Sequence, residues 1–276
     1  MTTGRIAQQF ARQPGRKALV PFITAGDPDL DTTLALMHTL VDAGADIIEL
    51  GIPFSDPMAD GPVIQAACER ALEQSVTLLQ VIDTVRRFRE KDQQTAVVLM
   101  GYLNPVERLG YADFASQASA AGVDGVLTVD LPPEEAGELV KELTANKLDA
   151  IFLISPTTPD HRIEKVSALA SGYIYYVSLK GVTGAGNLDA EAVSAKVTCV
   201  KSLADLPVAV GFGIRDAATA AAISKTADAI VVGTVLVASI GEHGADAKRL
   251  HQCIYKQVND MRVAMDAVSD EQRESA

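Results

Sequence analysis

Short apolar runs alternate with longer helical patterns along the whole chain. The runs lack the apolar–polar alternation of a half-exposed strand, which is typical of strands in a parallel sheet that is covered on both faces. Eight such runs are present, at residues 18–24, 46–50, 96–100, 125–129, 150–154, 173–177, 207–210 and 229–232. The pattern therefore predicts eight buried parallel strands.

Helical segments separate these strands. Their apolar residues recur at the spacing of one helix face, and residues that can cap free N–H groups stand at five of the expected starts, namely Asp29, Thr77, Asp160, Asp189 and Asp216. The predicted helices cover residues 29–43, 62–73, 77–90, 111–120, 133–145, 160–169, 189–202, 216–224 and about 247–268. Two helices follow the second strand in succession, and residues 3–12 predict an extra helix before the first strand.

Three segments share one sequence pattern, in which a helix ends, turns tightly and enters a strand. They are residues 43–51, 121–128 and 226–233, and they indicate that one supersecondary unit is reused. Eight strand–helix units in about 250 residues predict a closed (β/α)8 barrel of the α/β class. An open doubly wound sheet is the alternative, but the Gly-x-Gly-x-x-Gly motif is absent after the first strand. We expect a single domain over residues 1–268 and a frayed tail at 269–276.

Composition and charge exclude several classes of protein. The chain has 276 residues and a net charge of −12, which argues against a nucleic-acid partner because phosphate binding needs clustered Lys and Arg. No apolar stretch reaches the length of about 20 residues that crosses a bilayer, and the start lacks the apolar region of a signal peptide. The three cysteines lie far apart, so we expect a cytoplasmic protein.

The strongest candidate for chemistry is a carboxylate inside the second predicted strand. Glu49 lies among Ile47, Ile48 and Leu50, where ionisation is costly unless the group is paired. Active sites of (β/α)8 barrels lie at the carboxyl ends of the strands. We therefore interpret Glu49 as a proton-transfer group whose pKa is raised by burial, rather than as a structural buried carboxylate.

The loop after this strand presents two further carboxylates, Asp56 and Asp60. Residues 51–62 contain three prolines and two glycines, which restrict the backbone and give the loop a defined shape. Asp60 is the stronger candidate for catalysis, although Asp-Gly is common in turns and Asp60 also stands where it can cap the helix that starts at Pro62.

Glycine-containing turns follow the last three predicted strands, at residues 178–186, 211–213 and 233–234. Glycine lets backbone N–H groups approach an anion closely, and a helix N-terminus adds a favourable dipole. Phosphate sites of (β/α)8 barrels commonly form after the seventh and eighth strands. The three turns therefore predict a phosphate-binding site.

Apolar residues at or just beyond the strand ends predict a flat hydrophobic cavity that suits an aromatic group. These residues are Phe22, Ile64, Met100, Leu127 and Phe212. Tyr175, on the sixth predicted strand, adds a hydroxyl that can orient one of the carboxylates.

The remaining ionisable residues fit other chemistries less well. The four histidines are scattered without metal-ligand spacing, so no metal site is expected. Lys180 follows the sixth strand and is a candidate for a Schiff base with a carbonyl substrate, but it lies in a glycine-rich loop and a nucleophilic amine needs desolvation. Two alternatives stay open, a Schiff-base aldolase that uses Lys180 and a non-catalytic phosphate-ligand-binding barrel that regulates a partner.

Four segments of the chain resemble the tryptophan synthase alpha subunit family, at residues 19–28, 49–62, 181–184 and 211–214. The similarity extends from Arg5 to about Gly241, and the second segment is long and unusual in composition. The resemblance implies a (β/α)8 barrel that cleaves indole-3-glycerol phosphate to indole and glyceraldehyde 3-phosphate. Acid–base chemistry of this kind requires no metal or organic cofactor in the chain.

The same resemblance assigns roles to individual residues. Glu49 and Asp60 are implied as the catalytic carboxylates, with Tyr175 supporting Glu49. Gly184, Gly213, Gly233 and Thr234 are implied for the substrate phosphate, and Phe22, Ile64, Met100, Leu127 and Phe212 for the indole pocket. The chain departs from the family at Thr234, where Ser is frequent, at Met100, where Leu is frequent, and at Leu179-Lys180, where the flexible loop often carries Arg.

A partner is implied as well. The family's alpha subunit works with a pyridoxal-phosphate beta subunit in an α2β2 complex and passes indole to it internally. Pyridoxal phosphate would then belong to the beta subunit and not to this chain. We expect the docking surface at the mouth of the barrel, on residues 53–56, 104–108 and 131–135.

Overall fold

Eight parallel strands close into one barrel in the computed structural model, which describes residues 4–12, 15–178, 190–211 and 213–274. The strands are β1 (Ala18–Thr24), β2 (Ile47–Gly51), β3 (Ala96–Gly101), β4 (Gly125–Thr128), β5 (Asp149–Ile154), β6 (Ile174–Val177), β7 (Val208–Gly211) and β8 (Ala229–Val232). They pair in chain order, and β8 pairs with β1 to complete the barrel. The predicted (β/α)8 fold is confirmed.

Helices surround the barrel. Those in the described residues are α1 (Arg5–Ala11), α2 (Leu30–Asp42), α3 (Pro62–Glu73), α4 (Leu78–Arg89), α5 (Leu103–Leu109), α6 (Tyr111–Ala121), α7 (Gly137–Ala145), α8 (Asp160–Leu169), α9 (Ala190–Leu203), α10 (Ala217–Ser224), α11 (Thr234–His243) and α12 (Ala247–Glu274). The extra helix before the first strand is α1, and the inserted helix after the second strand is α4. Both were predicted.

Side-chain caps explain several of the helix starts. Asp29 accepts a hydrogen bond from the Thr32 backbone N–H at 2.7 Å, and Thr77 and Asp216 each form a capping box. Asp160 does not cap as predicted, because α8 begins at this residue and Pro159 holds the cap position. Asp189 lies outside the described residues.

Two helices were not predicted. The segment 104–108, expected to be a loop of the docking surface, belongs to α5. Its Pro105 is compatible with a helix because it lies in the first turn, where backbone N–H groups have no partner within the helix. The second such helix is α11. Its residues between the buried positions are mostly apolar or small, so its sequence lacks the polar face by which a surface helix is recognised.

The last helix continues beyond the predicted boundary at residue 268. It ends at Glu274, so residues 269–274 are helical rather than frayed. Ser269 is buried, and its hydroxyl donates to the Met265 carbonyl oxygen at 3.1 Å, which extends the ordered packing of this helix. The helix was not predicted to extend this far because residues 269–274 are mostly charged or polar.

The core has two layers. Side chains between the strands and the helices form the outer layer, and inward-facing side chains of the strands form the inner layer. Helix α1 covers the amino-terminal end of the barrel, where Ile6 is fully buried in the inner layer and the Phe10 ring lies 6.1 Å from that of Tyr173. The interior is therefore filled at this end, and the cavity described below lies at the other.

The repeated sequence pattern has a structural explanation. Asp46, Asp124 and Asp228 stand just before β2, β4 and β8, and each forms two hydrogen bonds with one residue of the preceding strand. Asp124, for example, donates its N–H to the Val97 carbonyl oxygen at 2.9 Å and accepts from the Val97 N–H at 2.8 Å through its carboxylate. We call this arrangement the aspartate clamp. It fixes the register between neighbouring strands.

Cations complete each aspartate clamp. Asp124 pairs with Arg5 and Arg89, both at 2.8 Å, and the Arg89 side chain is almost as buried as Asp124 itself. A buried carboxylate is costly to desolvate unless it is paired and hydrogen-bonded, and here both conditions hold. The clamps therefore depend on their ion pairs as much as on the backbone bonds.

Replacing Asp124 with Ala leaves Arg89 buried without this carboxylate and frees the Val97 N–H. We expect the free energy of unfolding to fall by about 3–5 kcal/mol. The matched control is Asp83→Ala, since the Asp83 side chain is 42% exposed in a surface ion pair with Arg86 and its loss should cost under about 1 kcal/mol. Urea titrations followed by circular dichroism measure both values, and similar losses for the two variants would contradict the role of the clamp.

Candidate active site

A cavity of about 510 Å³ opens at the carboxyl ends of the strands. It brings together most of the residues predicted for the site, namely Phe22, Glu49, Asp60, Ile64, Met100, Tyr175, Gly213, Gly233 and Thr234. Leu127 does not line it, because this residue is fully buried in the inner layer, beside Met100 on the neighbouring strand. Gly184 and Phe212 lie outside the described residues. Residues from β1, β2, β3, β6 and β8 therefore meet in one space.

Glu49 reaches the interior because of the strand register. It stands opposite Phe22 of β1 and Val98 of β3, at an inward position of β2. Its side chain is completely buried, and burial raises its pKa from 4.5 to about 7, since the charged form loses its hydration. The carboxylic acid is therefore close to half ionised at neutral pH.

Tyr173, rather than Tyr175, holds this carboxyl group. The Tyr173 hydroxyl donates a hydrogen bond to Glu49 Oε1 at 2.6 Å, which favours the ionised form and offsets part of the effect of burial. Glu49 Oε2 has no hydrogen-bond partner among the described residues. Tyr175 was the predicted support, but it lines the cavity one pleat nearer the mouth and no hydrogen bond joins it to Glu49 in the described part of the chain.

A second tyrosine, Tyr102, holds the carboxylate of Asp60. The Tyr102 hydroxyl donates to Asp60 Oδ2 at 2.9 Å and accepts from the Ala59 N–H at 2.9 Å, so one side chain fixes both the carboxylate and its loop. The Phe54 ring stacks on Tyr102 with centroids 5.1 Å apart. Burial raises the pKa of Asp60, and the hydrogen bond from Tyr102 opposes this rise.

Glycine and helix starts form the remaining end of the cavity. Gly213 has φ +79°, a conformation that suits glycine, and Gly233 holds the cap position of α11 with Thr234 as its first residue. A Cβ placed on Gly233 would lie 3.3 Å from the Phe22 side chain, so a larger residue there would press on this wall of the cavity. Free N–H groups at a helix start and a hydroxyl are suited to an anion.

The chain matches a known protein family over nearly its whole length. The family described as "Tryptophan synthase alpha chain" matches residues 8–266. The tryptophan synthase alpha chain of Thioalkalivibrio sulfidiphilus is 58% identical over 264 residues, which cover 95% of this chain and 99% of that protein.

The chain belongs to the tryptophan synthase alpha chain family.

Solved structures agree with this assignment. The tryptophan synthase alpha subunit from Legionella pneumophila superposes with a TM-score of 0.90 at 44% identity, covering 96% of this chain and 99% of that one. A chain of the tryptophan synthase complex from Pyrococcus furiosus gives a TM-score of 0.80 at 36% identity, with 89% and 98% covered. Members of the tryptophan synthase alpha chain family thus share this barrel.

Three expectations about other chemistry have different outcomes. Lys180, the candidate for a Schiff base, lies outside the described residues. Within the residues that the structure describes, no group of three or more His, Cys, Asp and Glu side chains is placed to hold a metal ion. No helix in the described ranges is long and apolar enough to cross a membrane.

Several of the described residues that line the cavity were missed by the sequence analysis, and Arg215 is the one among them that carries a charge. Arg215 lines the end of the cavity that also contains Gly213, Gly233 and Thr234. It follows the turn at residues 211–213 by two positions, and an arginine in an exposed stretch before a helix carries no pattern that distinguishes it from a solvated surface residue. Only the folded geometry places it at the site.

The hydrogen bond from Tyr173 stabilises the charged form of the Glu49 carboxylate. Replacing Tyr173 with Phe removes this bond. We expect the pKa of Glu49 to rise by roughly one unit from its value of about 7. A ¹³C NMR titration of the Glu49 carboxyl carbon measures the change. Tyr175→Phe is the control, and the assignment of Tyr173 as partner would be wrong if this second variant gave the larger shift.

Burial of Glu49 also predicts a pH-dependent cost to stability. Its pKa is about 7 in the folded chain and ordinarily 4.5, so the folded state binds the proton more tightly and stability falls as pH rises through this interval. Glu49→Gln removes the ionisation. We expect the variant to gain about 2 kcal/mol over the parent chain between pH 5.5 and pH 8.5.

Urea denaturation of both proteins at the two pH values tests this expectation. Glu90→Gln, at an exposed position at the end of α4, is the control and should show no such pH-dependent difference. A constant difference between Glu49→Gln and the parent chain across the pH range would mean that Glu49 titrates near its ordinary value.

Proposed function

We propose that Glu49 and Asp60 perform in this chain the reaction of the tryptophan synthase alpha chain family, the retro-aldol cleavage of indole-3-glycerol phosphate to indole and glyceraldehyde 3-phosphate. The observation that carries the proposal is a fully buried carboxyl group with a pKa of about 7 that faces an apolar cavity. Such a group can both give and accept a proton near neutral pH, and this reaction needs both transfers.

The first step requires an acid. The indole ring carbon that carries the side chain is a poor leaving group until it is protonated. We propose that protonated Glu49 donates its proton to this carbon from Oε2, the oxygen that Tyr173 does not hold. The product of this step is the ring-protonated cation of the substrate, with positive charge on the nitrogen.

Asp60 stabilises this cation. Its carboxylate accepts a hydrogen bond from the ring N–H, whose acidity increases when the ring carbon is protonated. Burial raises the pKa of Asp60, and the hydrogen bond from Tyr102 opposes this rise by favouring the ionised form. In its ionised form, the carboxylate would place a negative charge beside the developing positive charge. The loop that carries Asp60 is held by the hydrogen bonds of Tyr102 without any contact from the substrate.

The second proton transfer runs in the opposite direction. Ionised Glu49 accepts the proton of the side-chain hydroxyl while the carbon–carbon bond breaks, and the electron pair of that bond returns to the indole ring. The hydroxyl carbon becomes the aldehyde, and Glu49 ends protonated as it began. Protons and electrons balance without a metal or an organic cofactor in this chain.

The rest of the cavity positions the substrate. Phe22, Ile64 and Met100 provide apolar walls for the flat indole ring, and the glycine end with Thr234 is suited to the phosphate. A phosphate held far from the reacting carbon anchors the substrate and lets binding energy orient it. Gly184 and Phe212 remain proposals for the same two roles.

A beta subunit is the partner that consumes the indole, with pyridoxal phosphate in that subunit, and we propose an α2β2 assembly. The expected docking segments follow β2, β3 and β4, at the end of the barrel where the cavity opens. Met58, 83% exposed, lies in the same region and offers an apolar contact. The three cysteines are free, which fits our proposal of a cytoplasmic enzyme.

Glu49→Gln and Asp60→Asn test the proposed roles. Each retains the shape of the side chain and removes the proton transfer or the charge, so we expect indole formation from indole-3-glycerol phosphate to fall by about 10²–10⁴-fold with folding intact. The matched control is Asp56→Asn, because Asp56 is an exposed carboxylate on the same loop that bonds to Ser55. It should retain the activity of the chain alone.

The assay is run on the chain alone and with the beta subunit. Retained turnover in either active-site variant would remove that residue from its role. Indole formation in neither assay of the parent chain would favour a regulatory barrel, and a covalent adduct with substrate after borohydride treatment would favour the Schiff-base aldolase.

A further inference from the structure

We infer that Arg215 binds the phosphate group of the substrate, and so adds a full positive charge to an end of the cavity that, in the residues described, otherwise offers backbone N–H groups and a hydroxyl. The inference rests on the proposed function, because it takes the glycine end of the cavity as the phosphate site. It concerns affinity and capture of the substrate rather than the bond-breaking steps.

The backbone of Arg215 is fixed at the edge of this end. Its N–H donates to the Thr219 hydroxyl at 3.1 Å, and Thr219 itself lines the cavity and belongs to the first turn of α10. Gly213, with its positive φ, turns the chain two residues earlier. The side chain of Arg215 therefore starts from a defined position at the rim, between the cavity and solvent, with 63% of its surface exposed.

Charge is the second part of the argument. The chain has a net charge of −12, and the cavity itself contains the carboxyl groups of Glu49 and Asp60. A phosphate ester with up to two negative charges would therefore approach against an unfavourable field. Among the lining residues that the structure describes, Arg215 is the only Lys or Arg. It lies at the glycine end of the cavity, where the proposed function places the phosphate.

The neighbouring carboxylate does not remove this capacity. Asp216 Oδ2 lies 3.8 Å from Arg215 Nε, in a pair that is more than half exposed on both sides. Asp216 is already occupied in capping α10, where it accepts from the Thr219 N–H at 2.8 Å. An exposed ion pair at this distance is weak, and a guanidinium with five N–H donors can bind a phosphate while it stays near one carboxylate.

Arg215→Gln tests the inference in the full-length chain. We expect the KM for indole-3-glycerol phosphate to rise about five- to tenfold while kcat changes less than twofold, as for loss of one charge-assisted contact. Arg215→Lys should recover most of the affinity. Raising the salt concentration should reduce kcat/KM more steeply in the parent chain than in Arg215→Gln. Arg249→Gln removes an exposed cation that does not line the cavity and should leave KM unchanged.

Equilibrium binding provides a readout that is independent of turnover. Indole-3-propanol phosphate keeps the ring and the phosphate but has no bond to cleave, and indole-3-propanol lacks the phosphate. Arg215→Gln should weaken binding of the first compound by the same factor as it raises KM and leave the second unchanged. Equal weakening of both compounds would show a general structural effect and overturn the inference.

Thr234→Val separates this inference from the proposed function. If Thr234→Val raises KM and Arg215→Gln does not, the phosphate site stands and the role of Arg215 is wrong. If neither variant changes KM, the phosphate binds elsewhere, and the placement of the substrate in the proposed function fails together with the inference.

Discussion

The active site depends on the register between β1 and β2. Asp46 donates its N–H to the Leu19 carbonyl oxygen and accepts from the Leu19 N–H through its carboxylate, each at 2.9 Å. Three residues further along, this alignment sets Glu49 opposite Phe22. Side chains alternate between the two faces of a strand, so a slip of one residue would turn Glu49 out of the barrel. A carboxylate just before β2 thus helps to place Glu49, the proposed catalytic carboxylate, inside the barrel.

Two opposing effects then set the proton affinity of Glu49. Complete burial favours the neutral acid, and the hydrogen bond from Tyr173 favours the carboxylate, with a resulting pKa of about 7. For the proposed mechanism, a more polar setting would lower this pKa and leave too little acid to protonate a ring carbon, whereas a fully apolar one would leave too little base to accept the hydroxyl proton. Because burial raises the pKa of Glu49, the free energy of unfolding falls at high pH, where the buried group is ionised.

The fold and the candidate carboxylate Glu49 could be predicted from the sequence because both leave a one-dimensional pattern. Alternating strands and helices predict the barrel, and a charged residue inside the apolar run that ends at Leu50 is conspicuous. Tyr173, just before β6, and Tyr175, within it, both point into the inner layer, so only their depth in the barrel decides which one reaches Glu49. Arg215 belongs to the site only through the way the turn after β7 is folded.

In the proposed function the cavity holds two negative groups, the phosphate of the substrate and the carboxylate of Glu49. Like charges close together in an apolar space raise the pKa of a carboxyl group, so the proposed mechanism requires distance between the two groups. Phe22 stands opposite Glu49 in the strand register, and its side chain lies 3.3 Å from the position of a Cβ on Gly233. In the proposed binding mode the Phe22 side chain would therefore stand between the phosphate and Glu49, in addition to forming a wall for the indole ring.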